Sequence, residues 1–208
     1  MRLVFKNKKR RIIATVVLVI TLVAAGVGGF YLHTRYIKLF GITLTPAHDY
    51  PVTDIVYYLQ NDPLWASDKI GDSSSTMGGT GCLITCVAVS LNDLGISITP
   101  KELNQTLCET GGYQGADLLW YKINEAFSDI DYSYERIFST KTIEKDLKNG
   151  ELPIVNVRIN GVVTHWVLII GSANGDFLIY DPLNKDEKPV PLTTYGKVYA
   201  YRVLHKVE

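Results

Sequence analysis

Cysteine is scarce in this sequence, and several common motifs are missing from it. Three cysteines in 208 residues leave at least one thiol unpaired, so we expect no disulfide framework. Cys82 and Cys86 lack two further Cys or His ligands at metal-binding spacing, which argues against a metal site. The sequence contains neither a P-loop pattern nor an internal repeat. We therefore expect no cofactor, and the 47% hydrophobic and 20% charged residues are typical of a globular chain.

Acidic side chains are absent until Asp49, whereas six of the 21 Lys and Arg residues lie within the first eleven positions. The remaining residues carry fifteen basic and 21 acidic side chains, so residues 12–208 have a net charge of about −6. A phosphate backbone is repelled by such a surface. We therefore expect no nucleic-acid partner.

Residues 12–32 form an uncharged run of 21 residues, IIATVVLVITLVAAGVGGFYL. At about 1.5 Å per residue, a helix of this length covers roughly 30 Å of hydrocarbon and can span a membrane. The basic segment 1–11 precedes it, so the positive-inside rule places that segment in the cytoplasm and the rest of the chain outside the cell. We expect an uncleaved, single-pass signal-anchor. The alternative is a cleaved signal peptide with Val23 and Ala25 as the small-residue pattern, which would make the protein secreted.

After the anchor we expect a stalk at residues 33–51 and one folded domain at residues 52–208. Residues 52–60 are rich in β-branched and aromatic side chains, which favours a strand. Helices are expected at residues 82–94, at 117–127, at 140–149 and after the capping signal of Thr99, Pro100 and Glu102. After Pro153, strand-like runs separated by turn signals such as Asn160-Gly161 predict an antiparallel meander. The fold class is therefore α+β, with a helical half first and an antiparallel sheet after it.

The stretch GGTGCLITC places Cys82 after a glycine-rich loop and at the start of a predicted helix. Backbone N–H dipoles at a helix start favour the thiolate, which is the nucleophilic form of cysteine. The same position allows the Cys82 backbone N–H to face a developing oxyanion. Cys86 lies one turn further on, among Val87 and Val89, and we interpret it as a core residue. Cys108 has no helix-start context, and the same interpretation applies to it.

His165 is the best placed of the four histidines to act as a base, because it lies within the strand-like run VVTHWVLII. Asp181 ends the next strand-like run, and a hairpin of this length can place it beside His165. Both residues have structural alternatives, since a strand histidine is often only a hydrogen-bonded core residue and an aspartate before proline is a common turn former. Together with Cys82 they match the Cys–His–Asp arrangement used in nucleophilic acyl transfer.

Three segments of the chain resemble papain-like cysteine peptidases related to the bacteriocin-leader-processing, or double-glycine, peptidase family. These segments are YLQNDPLW, GGTGCLITCVAVSLNDLGISITPKEL and LKNGELPIVNVRINGVVTHWVLIIGSANGDFLIYDPL, and the resemblance spans residues 57–203. It implies a papain-like fold in which Cys82 attacks, His165 exchanges the proton and Asp181 orients His165. It also implies that Gln60 donates its side-chain amide to the oxyanion. Without the resemblance, Gln60 is a polar residue at the end of a strand.

The resemblance implies a stand-alone, membrane-anchored bacterial cysteine peptidase that hydrolyses an extracellular peptide or protein. Members of the family that trim Gly-Gly leaders are fused to a transporter ATPase and act on the cytoplasmic side. A chain that faces outward and lacks a P-loop does not fit that role. Two other functions are open: a cell-wall peptide amidase or transpeptidase on the same fold, and a non-catalytic surface module that binds peptides.

Overall fold

The computed structural model describes the backbone of residues 2–207 and the side chains of residue 8 and residues 10–207. The chain divides after Phe40 into two compact units. The first unit is helix α1, Arg2–Phe40, whose stretch Arg10–Phe40 is long and apolar enough to cross a membrane. A signal sequence would share this length and composition. Helix α1 contains the expected anchor at residues 12–32 and continues through residues 33–40 of the expected stalk.

Residues 41–51, the rest of the expected stalk, belong to the second unit and form hydrogen bonds with its other residues. The carboxylate of Glu144 accepts hydrogen bonds from the backbone N–H groups of Ala47 and His48, at 2.8 and 3.0 Å. The hydroxyl of Ser172 donates a hydrogen bond of 2.8 Å to the carbonyl oxygen of His48. The segment therefore lies along the rest of the second unit.

The helices of the second unit are α2 Met77–Thr80, α3 Cys82–Asp93, α4 Pro100–Glu109, α5 Tyr121–Ala126 and α6 Thr140–Lys148. The predicted capping box at the start of α4 is confirmed. The hydroxyl of Thr99 accepts a hydrogen bond from the backbone N–H of Glu102, and the Glu102 carboxylate accepts one of 2.8 Å from the N–H of Thr99. Such a box pairs donors that a helix start would otherwise leave free. Helix α5 is shorter than predicted because residues 117–118 pair as a strand.

The strands are β1 Tyr113–Gln114, β2 Asp117–Leu118, β3 Ile130–Ser133, β4 Ile154–Ile159, β5 Val163–Ala173, β6 Asp176–Tyr180, β7 Val190–Pro191 and β8 Ala200–Lys206. Strands β1 and β2 form a small hairpin, and the other six form an antiparallel sheet in the order β3-β8-β4-β5-β6-β7. The predicted hairpin between β4 and β5 is confirmed, and Asn160 and Gly161 both adopt positive φ there. The sheet is not the simple meander that was predicted, because β8 inserts between β3 and β4.

The strand predicted at residues 52–60 is wrong, because this segment lies beside β5 and bonds to it through the N–H of Thr53 but forms no strand. It runs past β5 where Gly171 leaves room, since a Cβ at that glycine would lie 2.9 Å from the carbonyl oxygen of Pro51. Its aromatic side chains pack instead, and the ring of Tyr57 meets that of Tyr180 edge-on at 5.5 Å between centroids. The apolar composition of the segment therefore reflects packing rather than strand pairing.

Helix α3 is the most deeply buried helix of the second unit, with nine of its twelve side chains buried. It packs across β5 and also contacts β4 and α4. Val87, Val89 and Leu91 are fully buried, and burial of each such side chain stabilises the fold by about 1.5–3 kcal/mol. The start of α3 is therefore fixed against the sheet by the body of the same helix.

Candidate active site

The thiol of Cys82 lies at the first residue of α3, directly after the tight turn that connects α2 to α3. A Cβ at Gly81 would lie 2.5 Å from the carbonyl oxygen of Met77, so only glycine fits at this position. The hydroxyl of Thr76 accepts a hydrogen bond from the N–H of Gly79 and caps the short helix α2. Cys82 is 7% exposed, so its thiol is nearly enclosed at the helix start.

His165 and Asp181 meet because β5 and β6 pair in an antiparallel register. Leu168 of β5 lies opposite Tyr180 of β6, so residues before Leu168 and residues after Tyr180 lie at the same end of the two strands. Nε2 of His165 is 2.8 Å from Oδ1 of Asp181, and both side chains are buried. Since Nε2 bonds to the carboxylate, Nδ1 is the ring nitrogen that remains for Cys82.

Asp181 and Cys82 both influence the pKa of His165. Burial by itself lowers the pKa of His165, but hydrogen bonds to Asp181 and Cys82, together with the charges of both residues, raise it to about 9. These contacts therefore favour the protonated imidazole. Burial raises the pKa of Asp181, but hydrogen bonds from His165, Tyr195 and the Leu183 N–H, with the charge of His165, hold it below its usual value.

Gln60 is buried beside the loop that leads to Cys82. Its Nε2 donates a hydrogen bond of 2.9 Å to the carbonyl oxygen of Gly78, four residues before Cys82. Its Oε1 is buried and has no hydrogen-bond partner among the described residues. One N–H of the amide is thus fixed by Gly78, which leaves the second N–H as a donor.

Tyr195 is a residue of this site that the sequence did not predict. Its hydroxyl donates a hydrogen bond of 2.5 Å to Oδ2 of Asp181, and its ring centroid lies 5.9 Å from that of His165. It is one of thirteen tyrosines, and neither a motif nor its neighbours distinguish it from the other twelve. Only the tertiary structure identifies it.

The other two cysteines differ from Cys82 in their surroundings. Cys86 is fully buried, and its thiol donates a hydrogen bond of 3.4 Å to the carbonyl oxygen of Trp166. Burial first, and then the charges of Cys82 and Asp181, raise the pKa of Cys86 well above its usual value, so it stays a neutral core thiol. Cys108 is exposed, which corrects its expected place in the core. Across residues 2–207, no three or more His, Cys, Asp or Glu side chains are arranged to hold a metal ion.

Comparisons with known proteins agree with this architecture. The model of a family described as "Peptidase_C39 like family" matches residues 52–207, three quarters of the chain. The fold is similar to the crystal structure of a C39-like peptidase from Bacillus anthracis, with a TM-score of 0.52 and 14% identity. That alignment covers 77% of this chain and 98% of the other, and at this identity the similarity concerns the fold alone. No curated protein matches the sequence.

The helical half, the antiparallel sheet and the helix start that carries Cys82 define the class as an α+β protein with the C39-like peptidase fold. The chain belongs to the Peptidase_C39-like family. The resemblance and the fold class expected from the sequence are thereby confirmed, and the family supports peptidase activity.

Proposed function

We propose that this protein is a cysteine peptidase in which Cys82 is the nucleophile, His165 the proton carrier and Asp181 the residue that orients His165. The observation that carries the proposal is the position of His165, whose ring bonds to Asp181 through Nε2 and also interacts with the side chain of Cys82. A cationic imidazole beside a thiol at a helix start stabilises the thiolate. This is the form of cysteine that attacks a carbonyl carbon.

The reaction follows from these contacts. The Cys82 thiolate attacks the peptide carbonyl, and the oxyanion that forms accepts hydrogen bonds from the Cys82 backbone N–H and the free amide N–H of Gln60. His165 gives its proton to the leaving amine, which leaves an acyl group on the Cys82 sulfur. His165 then takes a proton from water, and the resulting attack on the thioester releases the acid and restores the Cys82 thiolate beside the protonated His165.

We also propose that α1 anchors the protein in the cell membrane through residues 12–32 and that the second unit lies outside the cell. The apolar stretch of α1 and the six basic residues before it support this orientation. The substrate would then be an extracellular peptide or protein.

Site-resolved alkylation of the full-length protein in a mild detergent tests the nucleophile. In a Cys108→Ser background, which removes the exposed thiol, a thiol probe should label Cys82 and leave the fully buried Cys86 unlabelled. The Cys82→Ala variant should lose labelling and the cleavage of a peptide library. The Cys86→Ala variant should keep both, because it removes only a core thiol. Cleavage that persists in Cys82→Ala would overturn the assignment.

Labelling of intact bacterial cells tests the topology. In a Cys82→Ala background, a membrane-impermeant maleimide should reach Cys108, which is exposed on the second unit. The Lys8→Cys variant with Cys108→Ser should stay unlabelled until the cells are lysed, because residue 8 is proposed to be cytoplasmic. Labelling of Cys108 only after lysis would contradict the orientation, and N-terminal sequencing of the mature protein reports whether α1 is cleaved.

A further inference from the structure

The two oxygens of the Asp181 carboxylate have different partners. Oδ1 accepts hydrogen bonds of 2.8 Å from Nε2 of His165 and from the backbone N–H of Leu183. Oδ2 accepts a hydrogen bond of 2.5 Å from the hydroxyl of Tyr195. Asp181 is only 7% exposed, so these three donors replace the water that a surface carboxylate would bind.

We propose that Tyr195 is a positioning residue of the active site, which fixes the carboxylate plane of Asp181 and through it the imidazole of His165. This inference rests on the proposed function. A carboxylate held at one oxygen alone can rotate about its Cβ–Cγ bond. The bond from Tyr195 to the opposite oxygen prevents this rotation and keeps Oδ1 directed at His165.

Tyr195 is held in place by contacts that do not involve His165. It follows a 3-10 turn, Leu192–Thr194, and its N–H donates a hydrogen bond of 3.0 Å to the carbonyl oxygen of Leu192, which is buried. The hydroxyl of Thr193 donates a hydrogen bond to the carboxylate of Asp176 in β6. The turn therefore attaches to the same strand that ends immediately before Asp181, so both partners of the Tyr195–Asp181 bond are fixed by β6.

The hydrogen bond from Tyr195 also affects the protonation of Asp181. Burial, the hydrogen bond to Asp181 and the charge of Asp181 all raise the pKa of Tyr195, so its hydroxyl stays protonated and donates a hydrogen bond at acidic and neutral pH. Loss of this donor lets Asp181 take up a proton at higher pH. His165 then loses its counter-charge, and the Cys82 thiolate loses the imidazolium that stabilises it. As the pH is lowered, Cys82 should therefore lose its reactivity at a higher pH in the absence of this bond than in the wild type.

The chain contains a matched control for this bond. The hydroxyl of Tyr201 donates a hydrogen bond, also of 2.5 Å, to a carboxylate oxygen of Asp146. Tyr201→Phe thus removes the same kind of bond as Tyr195→Phe, but from a different carboxylate. A purely structural effect of losing a phenol–carboxylate bond would be common to both variants.

The test is the pH dependence of Cys82 alkylation by chloroacetamide, in the full-length protein with Cys108→Ser. The acid-side midpoint is the pH at which half of the alkylation rate is lost on lowering the pH. Loss of a hydrogen bond to a charged group shifts the pKa of that group by about one unit, so Tyr195→Phe should raise this midpoint by about that amount. Tyr201→Phe should leave the midpoint unchanged. If Tyr195→Phe does not fold, as judged by near-UV circular dichroism, 3-fluorotyrosine at position 195 replaces it. Its more acidic phenol is a stronger donor and should lower the midpoint.

The outcomes separate this inference from the proposed function. A wild-type Cys82 that chloroacetamide does not alkylate at any pH would overturn the proposed function and this inference with it. A reactive Cys82 whose midpoint is the same in the wild type and the Tyr195 variant would overturn only the role of Tyr195. An equal rise of the midpoint in Tyr201→Phe would also overturn it, because the effect would then not be specific to Asp181.

Discussion

The backbone N–H of Gln60 donates a hydrogen bond of 2.8 Å to the carbonyl oxygen of Pro182, the residue that follows Asp181. The side chain of Gln60 reaches in the other direction, to the carbonyl oxygen of Gly78 in the loop before Cys82. One residue therefore joins the segment that carries the carboxylate to the segment that carries the thiol. The proposed oxyanion donor is held at both ends before any substrate binds, which is the preorganisation that electrostatic catalysis requires.

Gln60→Ala should lower kcat by about 10²–10³-fold, the usual effect of removing one oxyanion donor, with a smaller change in KM. Steady-state kinetics on a cleaved library peptide measures this effect. Alkylation of Cys82 by chloroacetamide is the internal control, because it creates no oxyanion and should keep its rate. Equal losses of cleavage and alkylation would show instead that the substitution disturbs the thiol through the lost bond to Gly78.

The charge of His165 should make the free energy of unfolding depend on pH. The pKa of this histidine rises from its usual 6.5 to about 9 in the folded protein, so its contribution is complete below about pH 6.5 and is lost as the pH rises through about 9. The difference of 2.5 pH units corresponds to about 3 kcal/mol. Urea unfolding of the wild type and of His165→Gln at pH 6 and pH 10 measures it. The wild type should lose more stability than the variant between these pH values, and parallel losses would contradict the expectation.

Two neighbouring glycines should respond differently to alanine. A Cβ at Gly81 would lie 2.5 Å from the carbonyl oxygen and 2.9 Å from the Cα of Met77, so Gly81→Ala must displace the turn before Cys82. We expect a loss of about 1–3 kcal/mol in unfolding free energy and slower alkylation of Cys82. At Gly79 the nearest atom would be the Thr76 hydroxyl oxygen at 3.4 Å, so Gly79→Ala should fold and react normally. Similar behaviour of the two variants would refute this account of the turn.

The segment from residue 41 to residue 51 should loosen when Glu144 is replaced. Its carboxylate holds the backbone N–H groups of Ala47 and His48, and the Nδ1 atom of His48 also lies 3.3 Å from the same oxygen. Glu144→Ala should speed proteolytic cleavage near residue 47 several-fold, while alkylation of Cys82 stays unchanged. Glu144→Gln keeps an acceptor oxygen and should be cleaved at an intermediate rate. If all three proteins are cut at the same rate, Glu144 does not hold the segment.

The parts of the fold that the sequence predicts correctly depend on local signals. Helix α4 begins at Pro100, directly after its N-cap Thr99, because a capping box and a proline act within four residues. The start of α3 at Cys82 and the hairpin at Asn160-Gly161 likewise depend on glycines and apolar patterns close by in the sequence. The α+β fold class therefore follows from the amino-acid sequence alone. So does the placement of Cys82 at a helix start, of His165 within a strand and of Asp181 directly after the next strand.

The remaining features depend on partners far away in the chain. Strand β3 has no local signal, because within residues 2–207 its four residues pair only with β8, about seventy residues later. The strand-like composition of residues 52–60 is misleading because aromatic residues serve packing and pairing equally well. Tyr195 reaches Asp181 only after a turn has formed against β6, so no local pattern marks it.

The insertion of β8 between β3 and β4 has a consequence for how the protein is made. Among the described residues β3 bonds to the sheet only through β8, so β3 cannot join β4 and the rest of the sheet until β8 has been synthesised. Contacts across such long sequence separations form slowly, because the chain entropy lost on closing the loop is not offset until the strand is paired. During synthesis, β4, β5 and β6 can already form hairpins while the side of β4 that receives β8 remains open. That unpaired edge can add a strand from another chain, so the nascent protein is most exposed to aggregation just before β8 is inserted.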